Sequence, residues 1–389
     1  MKVKIRFKQN LTEFLTYSLI VGLMMILFFE PFEVTFFTGL GVWVAFIAIV
    51  LITIVAAIEK RIYKNPITVC TVLFAVIAVF SVIISNQMSY KSIVTLMSAL
   101  EIPLFILSVS LISSEKLIKF IYKSFVIISL FFIALSFTSL AHIFKNEYGV
   151  SQQDFLTLGY GNPNKTGMLL FACFAVLLSY LFYEESAIKK LLITADLAYI
   201  LVLIFQTLSR ACTIIAILLI AFSFVKSRKV INVFSKICCI VPLVFAPLFI
   251  IFPSQIMQSK LLGETIDTGR LSIYINVLKN MNVKNFIIGN YTYQFSNLHN
   301  VYISVFATVG IIGVILFAIL YFFINQNLCR TYEDKPSKIA FLAISLYSLH
   351  SSVEAAMFLS GSLYATIIIL LYVLCINKTD KKSELKRIG

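Results

Sequence analysis

The sequence predicts an all-α, polytopic integral membrane protein of about 12 transmembrane helices, and three observations carry that prediction. Hydrophobic residues make up 60% of its 389 residues, only 13% are charged, and the mean hydropathy is +0.96. A water-soluble domain could not hide so much apolar surface, so a bilayer is the natural solvent. The apolar residues also come in long unbroken runs, as spanning helices require, and not in the alternating strands of a barrel. Finally, the basic residues fall mostly in every second connection, the pattern that sets membrane orientation.

Apolar spans are expected at about 11–29, 39–58, 67–85, 93–112, 120–140, 166–183, 191–207, 211–225, 230–252, 301–323, 339–353 and 361–376. The count lies between ten and twelve, because only Leu208, Ser209 and Arg210 separate the seventh run from the eighth. Spans of about 20 residues each consume most of the chain, so residues 1–389 form a single transmembrane domain. With both termini in the cytoplasm, the inner connections hold most of the 32 Lys and Arg residues, among them Lys60, Arg61, Lys64, Lys116, Lys119, Lys189, Lys190, Lys226, Arg228, Lys229, Arg330, Lys335 and Lys338. Moving the topology by one span reverses the bias.

The net charge of +14 therefore sits mainly in short inner loops facing anionic lipid, and no nucleic-acid partner is expected. The N-terminal MKVKIRFK and its apolar run resemble a signal peptide, but FFEPFE follows without a small-residue cleavage site, so a retained anchor is expected. Six of the seven cysteines fall in spans and Cys329 in an inner loop, which leaves no extracellular disulfide framework. No spacing of ligands points to a metal, and there is no phosphate-binding glycine loop or hydrolase elbow; neither metal nor cofactor is expected.

Polar residues concentrate on the outer face. Two connections are long, 141–165 and 253–300, and long connections are usually functional or disordered. The first contains Gly161-Asn162-Pro163-Asn164, which by its residues reads as a plain Asn-Pro turn. In the second, Leu271, Tyr274, Ile275, Leu278 and Met281 share one helical face, which predicts a short interfacial helix over about 271–281. Asp267 or Thr268 would cap it, and Arg270 would stand at its N-terminus, where free N–H groups and the dipole favour an anion. Arg210 lies at the outer boundary between two apolar runs, where an arginine either snorkels or has a job. His299 opens the tenth span, suited by its titration range to serve as a base or by its position to cap a helix. Glu101 near the middle of the fourth span and Glu354 near His350 are further candidates, while Asp196 and His142 read as boundary residues.

Thr207-Leu-Ser-Arg210, then Thr268-Gly-Arg270, then His299-Asn300-x-Tyr302 with the later Gly310 and Gly313, resemble the motifs of the O-antigen ligase and O-antigen polymerase superfamily. They stand in the same order and on the same outer face, over roughly residues 155–325. The family often carries a tryptophan after the Thr-Gly-Arg element, whereas this chain has Tyr274 there and its single Trp at position 43. The resemblance implies a GT-C-like membrane glycosyltransferase in a bacterial cytoplasmic membrane, with its active site outside. Its substrate would be an oligosaccharide on undecaprenyl diphosphate, used without metal. Arg210 and Arg270 would bind the diphosphate and His299 would act as base. Asn162, Asn164, Asn300 and Glu354 would be candidate substrate contacts. A polymerase joins repeat units of an O-antigen or capsular polysaccharide, with a chain-length regulator as a conceivable partner; a ligase delivers the glycan to another acceptor. A flippase is the alternative outside this class, but the polar residues gather at one face and not at the midplane.

Overall fold

The computed structural model describes residues 2–58, 66–84, 115–142, 155–251, 260–261, 264–265, 270–279, 281–290, 300–332, 334–351 and 362–376. The helices are α1 (Lys2–Phe29), α2 (Thr35–Ile58), α3 (Pro66–Ile84), α4 (Glu115–Ser136), α5 (Pro163–Tyr183), α6 (Ala187–Gln206) and α7 (Arg210–Ser223). They continue with α8 (Arg228–Ile251), α9 (Arg270–Lys279), α10 (Val283–Ile288), α11 (Val301–Thr331), α12 (Lys335–His350) and α13 (Ser362–Ile376). Besides short 3-10 turns, the only other regular structure among the described residues is an antiparallel pair of two-residue strands, Lys260–Leu261 with Glu264–Thr265.

Every expected span except the fourth falls on one of these helices; the fourth, with Glu101, lies outside the described residues. Five stretches are long and apolar enough to cross a bilayer: Phe14–Phe32, Thr35–Ile52, Glu115–Ser136, Pro163–Tyr183 and Val301–Arg330. The protein is a helical membrane protein. The 14 residues of α7 rise only about 21 Å, less than the roughly 30 Å hydrocarbon core, so this helix is short for a crossing.

Packing follows from where small and large side chains fall. In α1 and α2, a Cβ on Gly22 would stand 2.8 Å from the Gly41 carbonyl oxygen, and one on Gly41 would stand 2.7 Å from that of Gly22. Only glycine at both positions lets the two backbones touch, the small-residue device of membrane helix pairs. At the centre, α5 is buried continuously from Thr166 to Ser179, and α12 packs against α5, α7, α8 and α13. Both are covered on all sides, as expected of helices apolar all round. Outward-facing residues such as Phe36, Leu130, Ile237 and Phe322 are large, apolar and exposed, a surface suited to lipid.

Helix ends sort onto two faces. On one, Lys338 Nζ donates to the carbonyl of Ser223 at 2.7 Å, Arg228 Nη2 donates to that of Cys329 at 3.0 Å, and Lys335 stacks on Phe182. Three of the basic connections, those after α5, α7 and α11, therefore meet at a single end. Glu184 ends α5 there, and the backbone N–H of Ser186 bonded to its carboxylate holds it below the usual carboxylate range. Asp196, expected as a boundary residue, falls midway along α6, where Ser129 Oγ of α4 donates to its carboxylate at 2.5 Å.

Candidate active site

The opposite end of the bundle brings together three of the segments singled out in the sequence, the turn before α5, the turn before α7 and the start of α11. The start of α5 is built first. Pro163 occupies the first turn, and the Asn162 side-chain oxygen accepts from the N–H groups of Asn164 at 2.8 Å and Lys165 at 3.2 Å. The connection before it is tightly folded, with Leu158, Gly159 and Gly161 all at positive φ. A Cβ on Gly159 would lie 2.8 Å from Pro31, so the loop is pressed under the end of α1. Tyr160 donates to the Leu27 carbonyl at 2.8 Å, and Lys165 forms an ion pair with Glu30.

The turn between α6 and α7 adjoins this loop. The Leu156 N–H donates to the Gln206 carbonyl at 3.1 Å. Leu208 holds φ at 54°, a left-handed conformation that is costly for leucine and tends to cluster at functional sites. Arg210 is exposed and is the first residue of α7. Unlike α5, this helix has no side-chain cap. Ser209 stands at the cap position without capping, and its buried Oγ has no hydrogen-bond partner among the described residues.

At α11 the Asn300 side-chain oxygen accepts from the N–H groups of Tyr302 at 2.9 Å and Ile303 at 3.1 Å. The Val301 N–H donates to the Ser351 carbonyl at 3.0 Å, joining the start of α11 to the end of α12. His350 is buried, with Nε2 3.5 Å from Cys212 Sγ of α7. That sulfur in turn lies 3.9 Å from the Asn164 carbonyl oxygen of α5. A Cβ on Gly167 would come 2.9 Å from the same sulfur, so glycine is what allows α5 and α7 to close up. The starts of α5, α7 and α11 and the end of α12 are thus linked by one unbroken line of contacts.

The helix that begins at Asn300 does not run straight. Gly310 has φ 73° and ψ −173° and breaks α11 there. The carbonyls around the break find other partners: Asn290 N–H donates to Ala307 at 2.7 Å and Ser81 Oγ to Thr308 at 2.5 Å. Inside a bilayer such replacement is obligatory. The first half of α11 is therefore a short half-helix whose N-terminus lies at the junction.

Arg270 is the first residue of α9, as the sequence predicts, and α9 packs against α8. Its buried face differs slightly from the predicted one. Tyr274 is buried as expected, but Val277, left off the predicted face, is buried beside it. Asn162 and Asn300 use their side-chain oxygens as helix caps, Asn300 being wholly buried. His299 and Glu354 lie outside the described residues.

No family model matches the chain, and no curated protein matches it either. In the sequence His350 draws attention beside Glu354, while nothing marks Cys212 or the Lys165–Glu30 pair. A histidine inside an apolar run was the available signal. Cys212 carried none, because its importance lies in which helices meet at its sulfur.

Proposed function

We propose that this protein is a membrane glycosyltransferase that polymerises repeat units carried on undecaprenyl diphosphate, acting on the outer face of a bacterial cytoplasmic membrane. The observation that carries the reading is the convergence of the Gly-Asn-Pro-Asn turn, the Ser209-Arg210 turn and the start of α11 at one end of the bundle, linked through Asn164, Cys212, His350, Ser351 and Val301. Three segments far apart in sequence share one end, as an active site assembled by topology requires.

In this reading the acceptor hydroxyl attacks the anomeric carbon of the donor, the bond from that carbon to the diphosphate oxygen breaks, and undecaprenyl diphosphate leaves. The hydroxyl proton passes to His299. The charge growing on the diphosphate meets the guanidinium of Arg210 and the N-terminal end of α7, whose cap residue Ser209 makes no side-chain cap. Arg270, first in α9, adds a second cation of the same planar chemistry. Preorganised donors of this kind are usually the largest electrostatic contribution to such a step.

Arg210→Ala, Arg270→Ala and His299→Ala should each leave the protein in the membrane while abolishing long glycan chains, read as ladders on a gel. Normal ladders from all three variants would refute the assignment. In cells lacking the protein, a single repeat unit on the final acceptor supports polymerisation. Long chains stranded on the lipid carrier would replace that conclusion with the ligase.

A further inference from the structure

The end of the molecule away from this junction holds a cavity of about 410 Å³ between the end of α7, the start of α8 and the connection from α11 to α12. Lys226, Arg228, Lys335 and Lys338 line it, and among the described lining residues Asp334 is the one carboxylate. That carboxylate is already committed, accepting the Ser337 N–H at 2.9 Å as the cap of α12. Three of the four cations are held in place by the fold. Arg228 Nη2 donates to the carbonyls of Cys329 and Arg330 at 3.0 and 3.3 Å, and its guanidinium lies 5.0 Å from the Tyr332 ring centre. Lys338 Nζ donates to the carbonyls of Ser223 and Val225 at 2.7 and 3.0 Å. Lys335 Nζ sits 3.5 Å over the Phe182 ring.

We propose that this cavity binds a phosphate-bearing anion, most simply the headgroup of an anionic phospholipid. Four like charges around one space repel one another, and a bound anion relieves that repulsion. A guanidinium has five donors and an ammonium three, so the carbonyl contacts of Arg228 and Lys338 leave donors for phosphate oxygens. The volume lies within the roughly 300–1,000 Å³ of small-molecule sites and exceeds what a bare ion needs. At the rim Phe224 is 65% exposed, an apolar surface on which an acyl chain can lie. Basic pockets between membrane helices are a recognised way to hold anionic headgroups. The proposal is independent of the catalytic reading.

The test uses the full-length protein purified in neutral detergent, with binding of dioleoylphosphatidylglycerol, dioleoylphosphatidylcholine and inorganic phosphate followed by native mass spectrometry and by thermal shift. Phosphatidylglycerol should bind at least tenfold tighter than phosphatidylcholine. The Lys226→Gln/Lys335→Gln double variant, which spares the two cations that tie helix ends, should lose at least fivefold of that affinity. A control pair, Lys189→Gln/Lys190→Gln, makes the same charge change in another inner connection and should lose none. Inorganic phosphate that stabilises the wild type but not the cavity variant, with no preference for phosphatidylglycerol, would support the phosphate site and identify a soluble ligand. Equal losses from both double variants, or equal binding of the two lipids with no phosphate effect, would overturn the proposal.

Discussion

Gly310 shows how much a single residue can decide. A Cβ there would lie 2.3 Å from the Ile287 carbonyl oxygen, and one on Gly289 would lie 2.2 Å from the Thr308 backbone carbon, so α10 and the break in α11 interlock through two glycines. Both have positive φ, which side chains other than glycine rarely adopt. Gly310→Ala should therefore destabilise the protein by about 3 kcal/mol, combining backbone strain with steric overlap. Gly39→Ala is the matched control. Nothing lies within 4 Å of the Cβ it would add, so a helical position gains a better helix former by up to about 1 kcal/mol. Thermal unfolding in detergent should show the first variant melting several degrees lower and the second unchanged or higher. Equal melting temperatures would mean that the break at Gly310 is unnecessary. The sequence offered Gly310 only as part of a motif, because its cause, the approach of Ile287 from a segment upstream, is a tertiary contact.

At the level of elements, hydropathy was enough to place the helices, since in lipid a long apolar run has few alternatives. It could not show what holds their ends. Asn162 and Asn300, read as candidate substrate contacts, cap α5 and α11. The two roles separate experimentally. Asn300→Ala removes an oxygen that accepts two backbone N–H groups and should cost about 1–2 kcal/mol, whereas Asn300→Ser keeps a capping oxygen and should recover most of it. If Ser restores the melting temperature and also the glycan ladder, Asn300 acts through the helix. If it restores stability alone, the amide is needed for something else. The caps were hidden in sequence for a plain reason. Asn-Pro and His-Asn before an apolar run look alike whether the asparagine turns inward to its helix or outward to a ligand.

At the scale of the whole molecule, the alternation of basic connections and the sorting of helix ends lead to the same division into two faces. Charge counting predicts which face is cytoplasmic, and packing independently brings Lys335 to Phe182 at one end and Val301 to Ser351 at the other. Which end meets the cytoplasm is a property of the protein in its membrane, and it can be read directly. Phe137 follows α4 at the junction end and is 78% exposed, while Glu185 lies in the connection from α5 to α6 at the basic end. Introduced singly as Phe137→Cys and Glu185→Cys, they should react oppositely with a membrane-impermeant maleimide in intact cells. The parent protein supplies the background, since most of its native cysteines are buried. Position 137 should label in intact cells, and position 185 only after the membrane is opened. The reverse pattern would put the Arg210 junction in the cytoplasm, where a lipid-linked glycan displayed on the outer leaflet cannot reach it, and the polymerase reading would fall with the topology.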